Sequence, residues 1–281
     1  MDVTGQVRGK VVVITGGARG IGFATARALH RLGASVAIGD VDEIRLKESA
    51  KELGIGVHGP LDVTSPESFA AFLDRVEREL GPVDVLVNNA GIMPVGVLAD
   101  EPDEVTRRIL DINVFGVITG SKLALRRMLP RGRGHVINIA SLAGELLVPG
   151  LATYGASKAA VLGFTEAARL EHRGTGVVFS AVLPTFTNTE LSSGTTGNKV
   201  VRNAEPEEIA RAVVELIAAP RPRVRVTRLA GALVAGQKFV PRRIGDFLVR
   251  ATGMATAFTT RVDNEQRRAY EARARGADDA D

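Results

Sequence analysis

The stretch Lys10-Val11-Val12-Val13-Ile14-Thr15-Gly16-Gly17-Ala18-Arg19-Gly20-Ile21-Gly22 decides the fold of this chain. It begins with a continuous run of β-branched residues, which is typical of a strand buried on both faces of a parallel sheet. The glycine-rich part that follows predicts a tight turn, and the residues from there through Leu32 predict a helix. A strand, a glycine turn and a helix in this order make the first unit of an α/β sheet.

The same alternation continues along the chain. Further apolar runs predict strands at residues 34–39, 83–87, 135–139, 177–183 and 224–227, with a shorter one at 55–58. Helix-length segments lie at residues 43–53, 66–80, 102–129, 153–173 and 206–218. We therefore expect a doubly wound parallel sheet of about seven strands with helices on both faces. No linker or repeat divides the chain, which predicts one domain over residues 1–281, with a core of about 7–228 and an extension at 229–281.

The composition excludes several kinds of site. The 281 residues are 45% hydrophobic and 24% charged and include no cysteine, so disulfides and thiolate chemistry are excluded. The four histidines are scattered without ligand spacing, and we predict no metal site. A net charge of +4 gives no reason to expect nucleic acid as a partner. Neither a signal peptide nor an apolar run of roughly 20 residues is found, so we expect a cytoplasmic protein.

The glycine turn predicts a dinucleotide site. Gly16 permits a tight turn, while Gly20 and Gly22 let the backbone and the helix approach a pyrophosphate at the helix N-terminus. Asp40 ends the second strand, where its carboxylate would accept hydrogen bonds from ribose hydroxyls and repel a 2′-phosphate. NAD is therefore the expected cofactor. Arg19 could instead meet a 2′-phosphate, which keeps NADP open as the less favoured alternative.

A second motif, Thr153-Tyr154-Gly155-Ala156-Ser157-Lys158, predicts acid/base chemistry. Tyr154 and Lys158 are about one helical turn apart and would share one helix face. An ammonium group near a phenol favours the phenolate, so we expect Lys158 to lower the pKa of Tyr154. Ser141, delivered from a separate strand end, could hydrogen-bond the same substrate oxygen. The alternative is an ordinary surface helix, because this pair often arises by chance.

Taken together, these residues resemble the short-chain dehydrogenase/reductase family, whose members have a Rossmann fold. The spacing Thr15-Gly16-x-x-x-Gly20-Ile21-Gly22 matches the family's cofactor turn, and Asn88-Asn89-Ala90-Gly91 matches its motif after the fourth strand. The family's four catalytic residues correspond to Asn113, Ser141, Tyr154 and Lys158. The resemblance covers about residues 7–219. It implies an oxidoreductase that transfers a hydride between NAD and a secondary alcohol or ketone.

The resemblance also implies a role for each residue. Tyr154 would be the acid/base, and Lys158 would lower its pKa and bind the nicotinamide ribose. Ser141 would orient and polarise the substrate oxygen, and Asn113 would hold a water that links Lys158 to solvent. The residues implied to contact the cofactor are Gly16, Arg19, Gly20, Ile21, Gly22, Asp40, Asp62, Val63, Asn89, Ala90, Gly91, Tyr154, Lys158, Pro184, Thr187 and Thr189. The family usually has glycine after the proline, whereas Thr185-Phe186-Thr187 follows Pro184 in this chain.

Two other functions compete with this one, besides an NADP-dependent carbonyl reductase. A non-catalytic dinucleotide sensor would keep the glycine turn but has no need for the four catalytic residues together. A sugar-nucleotide epimerase or dehydratase can share the tyrosine–lysine pair. Such enzymes usually have tighter glycine spacing and a larger C-terminal substrate domain, and neither is found in this sequence.

Apolar residues around the motifs predict a lipophilic alcohol or ketone as the substrate. The expected walls of its pocket are Ile92, Met93, Leu142, Val148, Leu151, Phe186 and Leu191. Residues 185–203 are predicted to form a mobile lid over the pocket, because they combine apolar side chains with glycines that can act as hinges.

The C-terminal extension has a different character. Residues 221–243 are basic and contain no acid, and Ile244, Phe247 and Leu248 follow at helical spacing. We expect this stripe to pack on the domain or on a neighbouring subunit. The alternative is a basic amphipathic element that either rests on a membrane without spanning it or covers a lipophilic substrate. Residues 265–281 are charged, and we expect them to be frayed or disordered.

The two long predicted helices, at residues 102–129 and 153–173, suggest a homo-oligomer, either a dimer or a tetramer. They carry more apolar residues than one sheet-facing stripe requires. The residues in excess are Leu123, Leu125, Val161, Leu162 and Phe164.

Overall fold

One parallel sheet forms the centre of the molecule. The computed structural model describes residues 2–146, 148–195, 203–227, 256–260 and 262–276. The strands are β1 (Val11–Thr15), β2 (Ser35–Asp40), β3 (Val57–Pro60), β4 (Val85–Asn88), β5 (Gly134–Ile139), β6 (Val177–Leu183) and β7 (Arg223–Arg225). Their order in the sheet is β3-β2-β1-β4-β5-β6-β7, and every pair is parallel. The predicted doubly wound sheet is confirmed. The chain order reverses between β1 and β4, which makes the crevice beyond their carboxyl ends the expected ligand site.

Helices connect the strands as the alternation predicted. They are α1 (Val3–Val7), α2 (Gly20–Arg31), α3 (Glu43–Leu53), α4 (Pro66–Leu80), α5 (Asp103–Leu110), α6 (Gly116–Met128), α7 (Ala152–Glu171), α8 (Pro206–Ala218) and α9 (Asn264–Arg275). The start of α4 is capped as its sequence indicates, since the Ser65 side chain accepts a hydrogen bond from the main-chain N–H of Ser68. The predicted helix over 102–129 is confirmed as one helical stretch, in which a π-helical turn, Asp111–Phe115, joins α5 to α6.

Two apolar layers cover the sheet, one on each face. Val12 and Ile14 of β1 pack in a cluster with α2, α3 and α8, whereas Val11 and Val13 pack in a cluster with α4 and α6. Successive strand residues point to opposite faces, so a strand covered on both sides needs apolar residues throughout. This explains why the run that opens the fold is continuous rather than alternating.

The C-terminal end of the described chain is ordered. Residues 265–281 were expected to be frayed, and this expectation is wrong for α9. The Asp263 side chain caps the helix by accepting from the N–H groups of Glu265 and Gln266, and Gly276 ends it in the left-handed conformation. Residues 277–281 lie outside the described residues, as do Ile244, Phe247 and Leu248. Within the described ranges, no helix has the length and apolarity to cross a membrane.

The apolar residues taken to indicate an oligomer belong to the chain's own core. Leu123, Val161 and Leu162 are buried, and Leu125 and Phe164 pack against the same clusters. Other apolar residues of the same helical segments are exposed, namely Leu110, Phe115 and Leu170. The oligomer remains a prediction, and these three side chains are candidates for its interface.

Candidate active site

The glycine turn between β1 and α2 brings backbone against backbone. Gly16 and Gly20 have φ values of 66° and 55°, a region that favours glycine. A Cβ atom on Gly22 would lie 2.1 Å from the carbonyl oxygen of Gly16. Asn89 braces the turn, because its Nδ2 donates to the carbonyl oxygens of Thr15 (2.9 Å) and Gly16 (3.0 Å). Only a turn without these side chains leaves the N-terminus of α2 open to a phosphate group.

Asp40 lies beside this turn at the carboxyl end of β2. The register pairs Thr15 with Gly39, so the carboxylate falls next to the turn. Its oxygens accept from the main-chain N–H groups of Ala18 (3.0 Å) and Asp42 (3.1 Å), which fixes its orientation. Burial raises the pKa of Asp40, while these two hydrogen bonds oppose the rise.

Arg19 is held by carboxylates. Its guanidinium pairs with Asp42 and, at 3.2 Å, with Oε2 of Glu190 in the loop after β6. The same Glu190 oxygen accepts from Arg273 of α9 at 2.6 Å. The side chain that could have favoured a 2′-phosphate is therefore shared between two acidic groups, and the glycine turn is linked through Glu190 to α9.

Three of the four predicted catalytic residues meet at the carboxyl ends of the central strands. Ser141 follows β5 closely, and Tyr154 and Lys158 lie on the first turns of α7. The Ser141 hydroxyl is near enough to Tyr154 to lower the pKa of its phenol. Lys158 Nζ lies 5.8 Å from the centroid of the Tyr154 ring and donates to the carbonyl oxygen of Ile139 at 3.1 Å. Tyr154 and Lys158 are 7% and 4% exposed, so their ionisation is governed by burial.

Burial acts on the two groups in opposite directions. It raises the pKa of Tyr154 to about 12, although the nearby Ser141 hydroxyl opposes the rise. It lowers the pKa of Lys158 to about 8. The pKa of Tyr154 is therefore raised by burial, where the sequence led us to expect a lowered one, and a lowering effect of Lys158 stays a prediction. Near neutral pH, Tyr154 keeps its proton and Lys158 is charged.

Asn113, the fourth predicted residue, joins this group from the π-helical turn. It is fully buried. Its Oδ1 accepts from the N–H of Ile92 at 2.9 Å, and its Nδ2 donates to the carbonyl oxygen of Ile92 (2.9 Å) and to Ser157 Oγ (3.1 Å). A Cβ on Gly91 would lie 3.1 Å from Asn113 Oδ1 and 3.4 Å from Lys158 Nζ, so this glycine permits the close approach. The side chain holds the loop after β4, and the water that it was expected to hold stays a prediction.

The other predicted cofactor residues after β3 and β4 line the same edge of the sheet. Asp62 Oδ1 accepts from the N–H and the hydroxyl of Thr64, and Val63 is buried. Ala90 donates its N–H to the Thr15 hydroxyl at 3.0 Å, while Ile21 lies in the first turn of α2.

The loop after β6 turns back toward the glycine turn. The Pro184 carbonyl accepts from the N–H of Leu142 at 3.0 Å, which ties the loop to the segment after Ser141. Thr187 and Thr189 follow, and a Cβ on Gly20 would lie 3.3 Å from Thr189 Cγ2. The structure therefore places the predicted cofactor residues around one crevice, and their glycines and the Asp40 carboxylate fit a dinucleotide.

Part of the C-terminal extension, residues 256–260, packs beside Tyr154. Phe258 is 1% exposed and stacks on Phe186 with ring centroids 5.2 Å apart. It belongs to one apolar cluster with Met93, Leu151 and Tyr154. Four of the expected pocket walls, Met93, Val148, Leu151 and Phe186, thus contact one another and this segment, and Leu191 packs at its edge.

Arg267 of α9 is the largest fully buried side chain among the described residues. Its guanidinium donates to the carbonyl oxygens of Leu191 (2.9 Å), Ser193 (3.0 Å) and Met93, and its Nε pairs with Glu271 at 2.6 Å. The described part of the predicted lid, residues 185–195, is held to α9 by these bonds. Residues 196–202 lie outside the described residues, and the lid's movement stays a prediction.

Tyr270, one helical turn nearer the C-terminus, also reaches the site. Its hydroxyl accepts from the N–H of Met93 at 2.6 Å. Burial raises the pKa of Tyr270, and the nearby Tyr154 hydroxyl adds to the rise. The sequence contains two tyrosines, and both lie at this site. The signal for α9 was present, because Asp263, Glu265 and Gly276 stand where a cap, an acidic first turn and a helix end belong.

Comparisons with known proteins agree with this arrangement. Residues 10–199 match the model of the short chain dehydrogenase family. The chain is 37% identical over 221 residues to a cis-4-hydroxycyclohexanecarboxylate dehydrogenase of Sinomonas cyclohexanicum, covering 74% of this chain and 88% of that protein. It is 35% identical over 221 residues to a 3-alpha-(or 20-beta)-hydroxysteroid dehydrogenase of Mycobacterium tuberculosis, covering 76% and 84%.

A solved structure is similar over the same region. It is a short-chain dehydrogenase/reductase from Burkholderia phymatum in complex with NAD, with a TM-score of 0.76 and 27% identity, covering 82% of this chain and 93% of that one. The match with the first curated relatives spans only 44% of their length, because those are larger proteins. The matched family model, the two relatives covered over most of their length and the observed sheet lead to one conclusion: the chain belongs to the short-chain dehydrogenase family.

Proposed function

We propose that this chain is an NAD-dependent oxidoreductase that interconverts a secondary alcohol and its ketone. The observation that carries the proposal is the meeting of Ser141, Tyr154, Lys158 and Asn113 beside the glycine turn, with Tyr154 and Lys158 almost fully buried. A non-catalytic sensor would have no use for a buried tyrosine and a buried lysine beside a serine.

The proposed proton transfer takes place at Tyr154 Oη. In the reducing direction Tyr154, which keeps its proton near neutral pH, donates it to the substrate oxygen. Ser141 donates a second hydrogen bond to that oxygen and orients it. Lys158, charged below its pKa of about 8, stabilises the phenolate that remains. When bound, the cofactor would supply the hydride to the carbonyl carbon in the reducing direction and accept it from the carbinol carbon in the oxidising direction.

The choice of NAD over NADP rests on the acidic groups around the ribose position. Asp40 and Asp42 lie at the end of β2, and Arg19 is already paired with Asp42 and Glu190. A 2′-phosphate would have to enter beside the carboxylates of Asp40 and Asp42. To reach Arg19 it would have to displace Asp42 or Glu190 from the guanidinium. The opposite outcome, in which Arg19 binds the phosphate, remains the NADP-dependent alternative.

An alicyclic alcohol suits the apolar side of the site. Met93, Leu151 and Phe258 are buried around Tyr154. The two relatives that align over most of their length are named for hydroxyl compounds built on carbon rings, which supports the same class. We also infer a homo-oligomer, with the exposed Leu110 and Phe115 in its interface.

Turnover of pure protein with NAD tests the proposal directly. Incubation with cyclohexanol and with a sterol alcohol is expected to produce reduced cofactor, followed by its absorbance. The matched control is Tyr154→Phe, which keeps the ring but loses the acid/base and should lower kcat by at least about 10²-fold. Near wild-type turnover by this variant would refute the assignment of Tyr154, and absence of turnover by the wild type would refute the alcohol chemistry.

A further inference from the structure

The Tyr270 hydroxyl has an unused hydrogen-bond donor. A tyrosine hydroxyl both accepts and donates. The acceptor side is used by the N–H of Met93 at 2.6 Å, whereas the structure gives the Tyr270 proton no acceptor within the residues it describes. The Tyr270 side chain is half-buried. A donor held away from water without a partner is costly, so a ligand oxygen that accepts this proton would be favoured.

The position of this hydroxyl relates it to substrate rather than to cofactor. Met93 belongs to the apolar cluster around Tyr154. The Tyr154 hydroxyl is near enough to Tyr270 to raise the pKa of that phenol. Burial raises the pKa of Tyr270, so the group remains a neutral donor at working pH.

The reacting oxygen of the substrate does not need this donor. A carbonyl oxygen has two lone pairs. In the proposed function, which this inference rests on, Tyr154 and Ser141 supply both hydrogen bonds. The Tyr270 proton is thereby available to a different oxygen of the same molecule.

We propose that Tyr270 is a specificity-determining residue that donates a hydrogen bond to a second oxygen of the substrate, so that the preferred substrate is an alicyclic alcohol with a further hydroxyl or carbonyl group. Arg267 is the positioning residue for this contact. It lies three residues before Tyr270, stacks 4.7 Å from its ring centroid and anchors α9 to the loops after β4 and β6.

Substrates that differ in one oxygen test the proposal. The probes are cyclohexanol, cyclohexane-1,3-diol and cyclohexane-1,4-diol, and the measured quantity is the kcat/KM of each diol divided by that of cyclohexanol. Tyr270→Phe removes the hydroxyl and keeps the ring. Any loosening of α9 in this variant affects all three alcohols alike, so the ratio isolates the hydroxyl. Loss of one neutral hydrogen bond should lower the ratio about two- to tenfold for at least one diol.

Binding gives a readout that does not depend on turnover. The sequence has no tryptophan and two tyrosines, so intrinsic fluorescence reports on Tyr154 and Tyr270 alone. Titration of the protein with each probe, with and without NAD, should show the diol bound more weakly relative to cyclohexanol in Tyr270→Phe. Arg268→Met, a change of an exposed residue on the same helix, should leave this relative affinity unchanged.

The outcomes separate this inference from the proposed function. Unchanged diol-to-cyclohexanol ratios in Tyr270→Phe, for both diols and in both assays, would overturn the role of Tyr270 even if the wild type is active. A wild type that turns over none of the probes would reject the alcohol chemistry, and the binding ratios would then decide the role of Tyr270. A wild type that binds neither diol better than cyclohexanol would overturn it as well.

Discussion

Replacing Arg267 with methionine should release α9 from the active site. The side chain is fully buried, and its guanidinium binds three carbonyl oxygens besides Glu271. A hydrogen bond to a charged group contributes about 1.5–3 kcal/mol, and removing one partner of a buried pair costs about 3–5 kcal/mol. Because these contributions are not additive, we expect Arg267→Met to destabilise the docking of α9 by about 3–5 kcal/mol in total. The docking equilibrium should shift by about two to four orders of magnitude.

Hydrogen exchange of the main-chain amides measures this shift segment by segment. In Arg267→Met, protection should fall in α9 and in residues 191–195 while the central strands keep theirs, because the change opens a local unit. Arg268→Met is the matched control, since it removes the same charge from an exposed position one residue away. Arg267→Lys should recover only part of the protection, because an ammonium group cannot reach three carbonyls as a planar fork does. Equal protection in Arg267→Met and Arg268→Met would refute the role of Arg267 as the anchor of α9.

Three further predictions concern cofactor choice, ionisation and assembly. Asp40→Ala should narrow a preference for NAD over NADP that we expect to be at least about tenfold, or ~1.4 kcal/mol, and wild-type kinetics with NADP as the better cofactor would contradict it. The pKa of Tyr154 rises on folding from 10.0 to about 12, so its contribution to stability is full below pH 10 and is lost as the pH rises to 12. In urea unfolding, the free energy of unfolding of Tyr154→Phe should therefore rise by about 3 kcal/mol relative to that of the wild type between pH 10 and pH 12. A difference between the two proteins that does not change with pH would contradict the pKa shift. Light scattering should give a dimer or tetramer for the wild type and a smaller species for Phe115→Glu, and a wild-type monomer at micromolar concentration would reject the oligomer.

The sequence predicted the sheet because each strand is marked by a local pattern. The bounds of β6, α3, α4 and α8 agree with the predicted ones to the residue. Short apolar runs rich in β-branched residues favour parallel strands covered on both faces, and helix caps such as Ser65 mark the starts of helices. The π-helical turn at Asp111–Phe115 was not predicted, because it changes the hydrogen bonding and leaves the helical character of the residues unaltered.

The site was predicted where it depends on motifs and missed where it depends on tertiary contacts. Glycine spacing and the tyrosine–lysine pair identified the crevice. The direction of the Tyr154 pKa was wrong, because burial by Phe258 and its neighbours is not visible in the spacing of two residues. Arg267 was missed for the same reason. A charged segment predicts exposure to solvent, and its buried partner, the carbonyl of Met93, is distant in sequence.

The contacts that complete the site join parts of the chain that are very distant in sequence. Arg267 and Tyr270 lie 174 and 177 positions from Met93, and Glu190 lies 171 positions from Arg19. During translation the N-terminus of the chain leaves the ribosome first. Contacts between residues that are so distant in sequence form only after most of the chain has been made. A ribosome-bound chain that has reached α8 already contains the glycine turn and all four predicted catalytic residues, yet it lacks Phe258, which packs in one cluster with Tyr154. The environment of Tyr154 is therefore completed late in synthesis, after residue 270 has been made and α9 has docked.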